Sequence, residues 1–531
     1  MTIRIRPSLQ EVVNRYDTGE DKSTLENLIR AFRKIQSYPP DNPDSFFKIA
    51  SYHGEPFVEE NPDPENTDWW GGYCQHRTVL FPTWHRAYLL RLEEALNNAM
   101  PDTYIALPFW DECLTFESLD NPIPWILTQP TFDLDGDDTN PLYSYKLQRS
   151  IADTPDDGNR YTKPVGYETV RYPLSGLVGN SEDIQATEVH NQVYSDPAQN
   201  AELLNQNVKA WLDGTVVFHA DASNTPVPDS YSTYARYRIS LDAPNYMVFS
   251  NKASMARWIK DGNGQRYGVA LEDPHNATHL ALGGFYQEGV YNADPILGAN
   301  GDMGENETAA FDPIFFLHHA FVDYVFWTWQ RLHDKTARGS LRVDPGYPGT
   351  TSTGFPNFRR GELLDMQSPL APFMKPDGNF FTSDDVTDIE NIEGGLAYSY
   401  RPGSLDSVLT FHSERKWFAS PLVTVVHVPN INRGNIKGSF VIRTLVELPN
   451  GTEVEIGREA VLSRWNTRPC GNCQNSLQEH AFIPIDEALL MALGIEKKED
   501  LGGKLRVKIQ SRPLNRPGVE LQSIEPSITI L

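Results

Sequence analysis

Asp312-Pro-Ile-Phe-Phe-Leu-His318-His319-Ala-Phe-Val-Asp323 is the stretch that decides how this chain folds. An acid followed by proline opens a helix, because the carboxylate accepts from unpaired backbone N–H groups and proline presets φ. The run behind it is so apolar that the helix must be buried, yet it holds two adjacent histidines. Buried imidazoles are costly unless each finds a ligand or a hydrogen-bond role. Upstream, Asp273-Pro274 opens a second such helix. On it His275 and His279 stand four apart, so both rings leave one face and can hold one metal.

The N-terminal half supplies further candidates. His53 precedes Gly54, His76 ends Tyr73-Cys-Gln-His76, and His85 lies in Phe81-Pro-Thr-Trp-His85-Arg-Ala-Tyr88. A helix read from Thr83 through Leu89, Leu92 and Leu96 to the Met100-Pro101 break carries His85, with Glu93 two turns on. An earlier helix, Thr24 to Gln36, sets Leu25, Leu28, Ile29, Phe32 and Ile35 at helical spacing, with Ser23 or Thr24 to cap it. From about Thr115 to Tyr246 the composition turns to Asp, Asn, Pro, Thr and Tyr, which predicts long loops with short helices such as Ala201 to Leu212. After about residue 400 the pattern becomes β-branched and partly alternating, in Val423–Val428, Ser439–Leu448, Glu453–Ile456, Leu505–Ile509 and Ser527–Leu531. Turn residues separate these runs, as at Pro449-Asn450-Gly451, and the segment reads as an all-β, sandwich-like domain.

A chain of 531 residues is long enough for a large core domain plus at least one more. Its 71 acids against 46 bases give a formal net charge of -25, which excludes nucleic acid and disfavours anionic membranes as partners. No apolar stretch approaches the roughly 18 residues that span a bilayer. The start, Met1-Thr2-Ile3-Arg4-Ile5-Arg6-Pro7, has no apolar run behind its basic residues, so it is not a secretory signal and a cytoplasmic protein is expected. Four cysteines do not make a disulfide framework in so long a chain. Asn-x-Thr sequons stand at Asn276, Asn306 and Asn450, and a glycan on the first, between two candidate ligands, would ruin the site.

Taken together, His53-Gly54, Cys74-x-His76 with Phe81-Pro-Thr-Trp-His85-Arg, Leu271-Glu-x-x-His275-Asn-x-x-His279 and Asp312-Pro-Ile-Phe-x-x-His-His319-x-x-x-Asp323 resemble the copper A and copper B signatures of tyrosinases. Catechol oxidases and molluscan haemocyanins share them. The resemblance covers roughly residues 24–400 and is nearest to fungal-type and related bacterial enzymes with a Cys-x-His pair. It implies a mainly α catalytic domain over residues 1–400, with a four-helix bundle core around a dicopper site, and a small β lid or shielding domain over residues 401–531. It implies copper A on His53, His76 and His85, and copper B on His275, His279 and His319, with His318 beside the ligands rather than among them. It also implies a thioether between Cys74 and His76. Imidazoles with no carboxylate or thiolate among them serve Cu(I) and Cu(II) in turn, leaving open positions where O2 can enter as co-substrate. Zinc also accepts three histidines, but two such sites with this flanking pattern make a zinc hydrolase a distant reading.

Glu272, three residues before His275, and Asn276, just after it, can approach a common water. The resemblance implies that they polarise it as a base for monophenols, so the expected activity is ortho-hydroxylation of small phenols and oxidation of o-diphenols to o-quinones. The competing readings are a catechol oxidase without the first step and a haemocyanin-like oxygen carrier. Phe315, one turn before His319, resembles the phenylalanine that packs on the substrate ring, with core packing as its plainer role. Leu280 is apolar where many bacterial relatives have arginine, and Met303-Gly-Glu-Asn306 is expected at the pocket rim. Tyr398-Ser-Tyr400 resembles the tyrosine motif that closes the catalytic domain, with Arg33 as the candidate to stack on it. Trp465 is the candidate bulky side chain that the shielding domain places over the coppers. Cys470-Gly-Asn-Cys473 reads as a redox pair, a short-loop disulfide or a soft copper site, the last linked to copper delivery by the resemblance. A homo-oligomer is compatible with all of this.

Overall fold

The computed structural model describes residues 3–54, 72–114, 121–152, 159, 161–213, 232–262, 267–284, 296, 298–352, 354, 358–393, 396–407, 424–436, 438–464, 477–485, 490–491, 493–511 and 528–530. Helices fill its first part: α1 (Leu9–Asp17), α2 (Ser23–Ser37), α3 (Phe46–Ser51), α4 (Phe81–Ala99), α5 (Ser181–Val193), α6 (Pro197–Asp213), α7 (Thr233–Ser240), α8 (Tyr246–Ser250), α9 (Lys252–Asp261), α10 (Glu272–Gly283) and α11 (Ile314–Leu332). Short strands accompany them: β1 (Arg4–Arg6), β2 (Thr131–Leu134), β3 (Asp137–Thr139), β4 (Pro369–Met374), β5 (Phe380–Thr382) and β6 (Tyr398–Tyr400). The last part is a β unit of β7 (Thr424–Asn432), β8 (Phe440–Glu447), β9 (Glu453–Val461), β10 (Gln478–Ile485), β11 (Leu505–Ser511) and β12 (Thr529–Ile530).

Two helices set the core. Every residue of α11 from Ile314 to Gln330 is buried, which is what an all-round apolar helix requires. α10 is buried along its whole length as well. α4 packs on both α2 and α11. The two Asp-Pro starts differ from the reading above, α11 beginning one residue after Pro313 and α10 two residues before Pro274. Asp312 precedes α11 and its carboxylate does accept from Ile314 N–H (3.1 Å), but Asp273 lies inside α10 and accepts from Ala270 N–H (3.2 Å). Neither Ser23 nor Thr24 caps α2; Asp21 does, accepting from the Thr24 N–H and both hydroxyls. An acid accepts more strongly than a hydroxyl can at a helix start.

In the β unit, β7 lies between β10 and β12, and β8 between β11 and β9, all antiparallel. Gly451, at φ 81°, makes the β8–β9 turn. The strand β10, an edge strand that makes the first sheet's longest pairing with β7, was not among the runs expected from sequence, because its Glu479 and His480 interrupt the apolar alternation.

The tyrosine motif closes on a different arginine from the one expected. β1 pairs in parallel with β6, and the Arg6 guanidinium stacks 3.8 Å from the centre of the Tyr398 ring. Arg33 instead donates to the carbonyls of Phe132, Leu134, Asp137 and Thr139 around the β2–β3 hairpin. The difference is one of backbone pairing: only a strand beside β6 can lay its side chain on that ring. Asp323, the last residue of the opening motif, accepts from Tyr398 and Tyr400 hydroxyls (2.6 Å each) and from Arg86 Nε (2.6 Å). It thus ties α11 and α4 to the segment that closes the helical part.

Candidate metal centre

The sequence-predicted histidines converge from four elements. α3 ends just before His53, whose Nδ1 donates to the Asn306 carbonyl (3.2 Å). In α4, His85 Nδ1 donates to Phe81 O (2.8 Å), one turn back. In α10, His275 Nδ1 faces Asn276 Oδ1 (3.0 Å), and His279 Nδ1 donates to Met303 O (2.8 Å). His76 joins from the loop before α4, its ring 5.3 Å from those of both His53 and His85. The result is two groups, His53, His76 and His85, and His275, His279 and His319 with His318 beside them. The groups face each other, with His85 stacked on His319 at 4.4 Å and His76 5.5 Å from His275.

The protonation pattern suits a metal. Each Nδ1 that gives its hydrogen to a carbonyl leaves a lone pair on Nε2. Nε2 of His279 lies 3.1 Å from Nε2 of His275, which lies 3.3 Å from Nε2 of His319. Lone pairs so close repel unless a cation sits among them. Nε2 of His53 and of His85 is buried with no hydrogen-bond partner among the described residues. Burial, and then the neighbouring imidazoles, hold His53, His76, His275, His279 and His319 well below the usual histidine range. Burial brings His85 down to about 3, against the opposing pull of Phe81 O. The rings are therefore neutral donors at ordinary pH, and an all-imidazole set of this kind fits copper in either oxidation state.

A small cleft opens onto the centre between the helical part and the β unit. Cys74, His76, Arg77, Glu272, Asn276 and Asn306 line it on one side, and Arg433, Leu462, Ser463, Arg464 and Glu479 on the other. Glu272 accepts from the backbone N–H of Arg77 (2.9 Å) and of Lys252 (3.1 Å). Its pKa is raised by burial, against the lowering effect of the Arg77 charge and those two amides. Asn306 donates from its amide to Cys74 Sγ (3.7 Å), which brings the expected rim residue against the Cys-x-His pair. Phe315 is fully buried and is not among the cleft residues; its ring packs 4.2 Å from His319 and 4.8 Å from His53. Trp465, Cys470 and Cys473 lie outside the described residues. Arg77, Arg464 and Glu479 were not singled out from sequence, and Glu112, which bonds His318, carries no local motif either.

The helical fold and its paired imidazole groups define a dinuclear metalloprotein of the kind that holds two coppers on histidine alone. Residues 43–332 match the family model described as the common central domain of tyrosinase, and the chain belongs to the tyrosinase family. It is 45% identical over 506 residues to the tyrosinase HcTyr2 of a Hahella species, an alignment covering 91% of this chain and 88% of the relative. It is 38% identical over 496 residues to the tyrosinase of Aspergillus oryzae, covering 89% and 88%. Among solved structures, the tyrosinase of Burkholderia thailandensis at low pH superposes with a TM-score of 0.77 and 40% identity, covering 96% of this chain and 95% of that one. The protein is accordingly an oxidoreductase, a type-3 copper tyrosinase.

Proposed function

We propose that His53, His76 and His85 hold one copper and His275, His279 and His319 the other, and that the enzyme ortho-hydroxylates small monophenols and oxidises o-diphenols to o-quinones. The observation that carries the reading is the contact of two facing groups of neutral imidazoles, with Glu272 and Asn276 at the mouth of the second. The copper pair, when bound, supplies O2 binding and the two-electron oxidation. The chain's own residues do the rest. Glu272, raised above the usual carboxylate range, is a stronger base than a free carboxylate and takes the phenol's proton at the cleft. Asn276 holds His275 in one tautomer through its Oδ1. A Cys74–His76 thioether would fix the least buried of the rings; Cys74 is itself buried, with the Asn306 amide donating to its sulfur.

The organisation we propose is a catalytic part to about residue 400 and a β unit that shields the cleft. Arg464 supports this, since it lines the cleft and its charge acts on His53 and His76. The test combines copper stoichiometry with oxidation of tyramine and of catechol, before and after limited proteolysis near residue 400. Two coppers and activity on both substrates, rising on cleavage, are expected. Oxidation of catechol alone reduces the reading to a catechol oxidase, and activity that falls on cleavage removes the shielding role.

A further inference from the structure

One carboxylate touches both helices of the second histidine group, and nothing in the sequence marks it. Glu112 sits in a turn after Phe109 that is held to α11 by the Trp110 N–H donating to Leu317 O (3.1 Å). The residue is fully buried. Its Oε2 accepts from the Tyr237 hydroxyl (2.9 Å) and from the Thr278 hydroxyl (2.9 Å), while its Oε1 faces His318 Nδ1 at 2.5 Å. Thr278 immediately precedes His279 on α10, and His318 immediately precedes His319 on α11. A single group therefore fixes both helices one residue from their proposed ligands.

His318 Nε2 is buried and has no hydrogen-bond partner among the described residues, so the contact with Glu112 is what fixes this ring. The His318 ring lies nearly parallel to His275 (5.2 Å, 23°) and perpendicular to His279 (5.0 Å, 90°). One ring nitrogen from each of His275, His279, His318 and His319 lies within 4.8 Å of the others. His319, by contrast, has no partner on Nδ1 among the described residues, so its orientation depends on where α11 is held.

We propose that Glu112 is the positioning residue of the second histidine group: it sets the spacing of α10 and α11 by holding Thr278 and His318, the neighbours of His279 and His319. The inference rests on the copper assignment above and adds to it. Glu112→Gln is the sharp test, because an amide has one accepting oxygen where three donors converge. One donor must then face the NH2 group, or His318 must move its proton to Nε2.

The measurement is copper per chain in the full-length holoenzyme, titrated against graded concentrations of a chelator. The wild type is expected to release its two coppers at two midpoints. In Glu112→Gln one midpoint falls by about 10–100-fold in affinity and the other stays. His318→Phe keeps the ring stack, removes the nitrogens, and is expected to move the same midpoint; it carries the test should Glu112→Gln not fold. Wild-type midpoints in both variants, or equal shifts of both coppers alongside a lower melting temperature, overturn the proposal. A wild-type chain that takes up no copper pair instead overturns the assignment on which it rests.

Discussion

The metal centre and the seam beneath the β unit are both buried and both polar, yet they are built on opposite principles. The centre is made of neutral rings in an apolar, aromatic setting, where Phe315, Trp84 and Phe81 pack against the imidazoles. The seam is ionic. Arg77, Arg236 and Lys252 of the helical part meet Glu459 and Glu479 of the β unit, with Asp273 on the same Lys252 ammonium (3.3 Å). Against the penalty of burial, Lys252 and Arg236 hold Glu459 below the usual carboxylate range. Burial and the facing Glu459 push Asp273 well up. Neutral donors in a rigid apolar frame keep their geometry for a metal; paired charges can separate into water and be solvated again. That difference is what the proposed shielding role needs, a fixed centre under a cover that can lift.

The largest effect should come from breaking the centre. His279→Ala removes one of three nitrogens in contact and is expected to lose the second copper and reduce oxidase activity to background, as copper content and a catechol assay would show. Next is the frame. Asp323→Ala leaves Arg6 and Arg86 buried without their shared partner, and unfolding experiments should find about 3–5 kcal/mol lost. Breaking the seam should act in the other direction on activity. Lys252→Met strips Glu459 and Glu479 of a buried cation, and a seam weaker by about 1.4 kcal/mol multiplies the open fraction by ten. Activity of the uncleaved chain should rise by about that factor with copper content unchanged; an unaltered rate would show that these ions do not hold the cover.

The smallest effect is on pH, within the β unit. His427 Nε2 and His480 Nδ1 lie 3.2 Å apart, and His427 stacks on Phe482 at 4.5 Å. Burial, then each other's ring or the Lys260 charge, brings them to about 3 and about 4. A histidine depressed in the folded state binds more protons when unfolded, so the stability it contributes is present above about pH 6.5 and is lost as pH falls from there toward 4. Melting curves of the full chain between pH 7 and 4 should show this loss, smaller in His480→Gln.

Much of the site was legible in the sequence because helices write their contacts into spacing. His275 and His279 share a face by period alone, and the apolar run around His318 and His319 forces burial. The arginine on the tyrosine motif was misread as Arg33, since both arginines lie in the N-terminal segment and only the β1–β6 pairing selects Arg6. Glu112 was invisible for a similar reason: its partners Tyr237, Thr278 and His318 are 125, 166 and 206 residues away.

The sequence by itself determined which rings are donors, that their helices are buried, and that a β unit follows. Those are properties of residue type and local period, set within a few turns of chain. Only the tertiary structure decided which groups face one another: the stack of His85 on His319, the cleft shared with Arg464 and Glu479, and the carboxylate that fixes α10 to α11. These depend on where distant segments come to rest, and close packing, which no local pattern encodes, sets that.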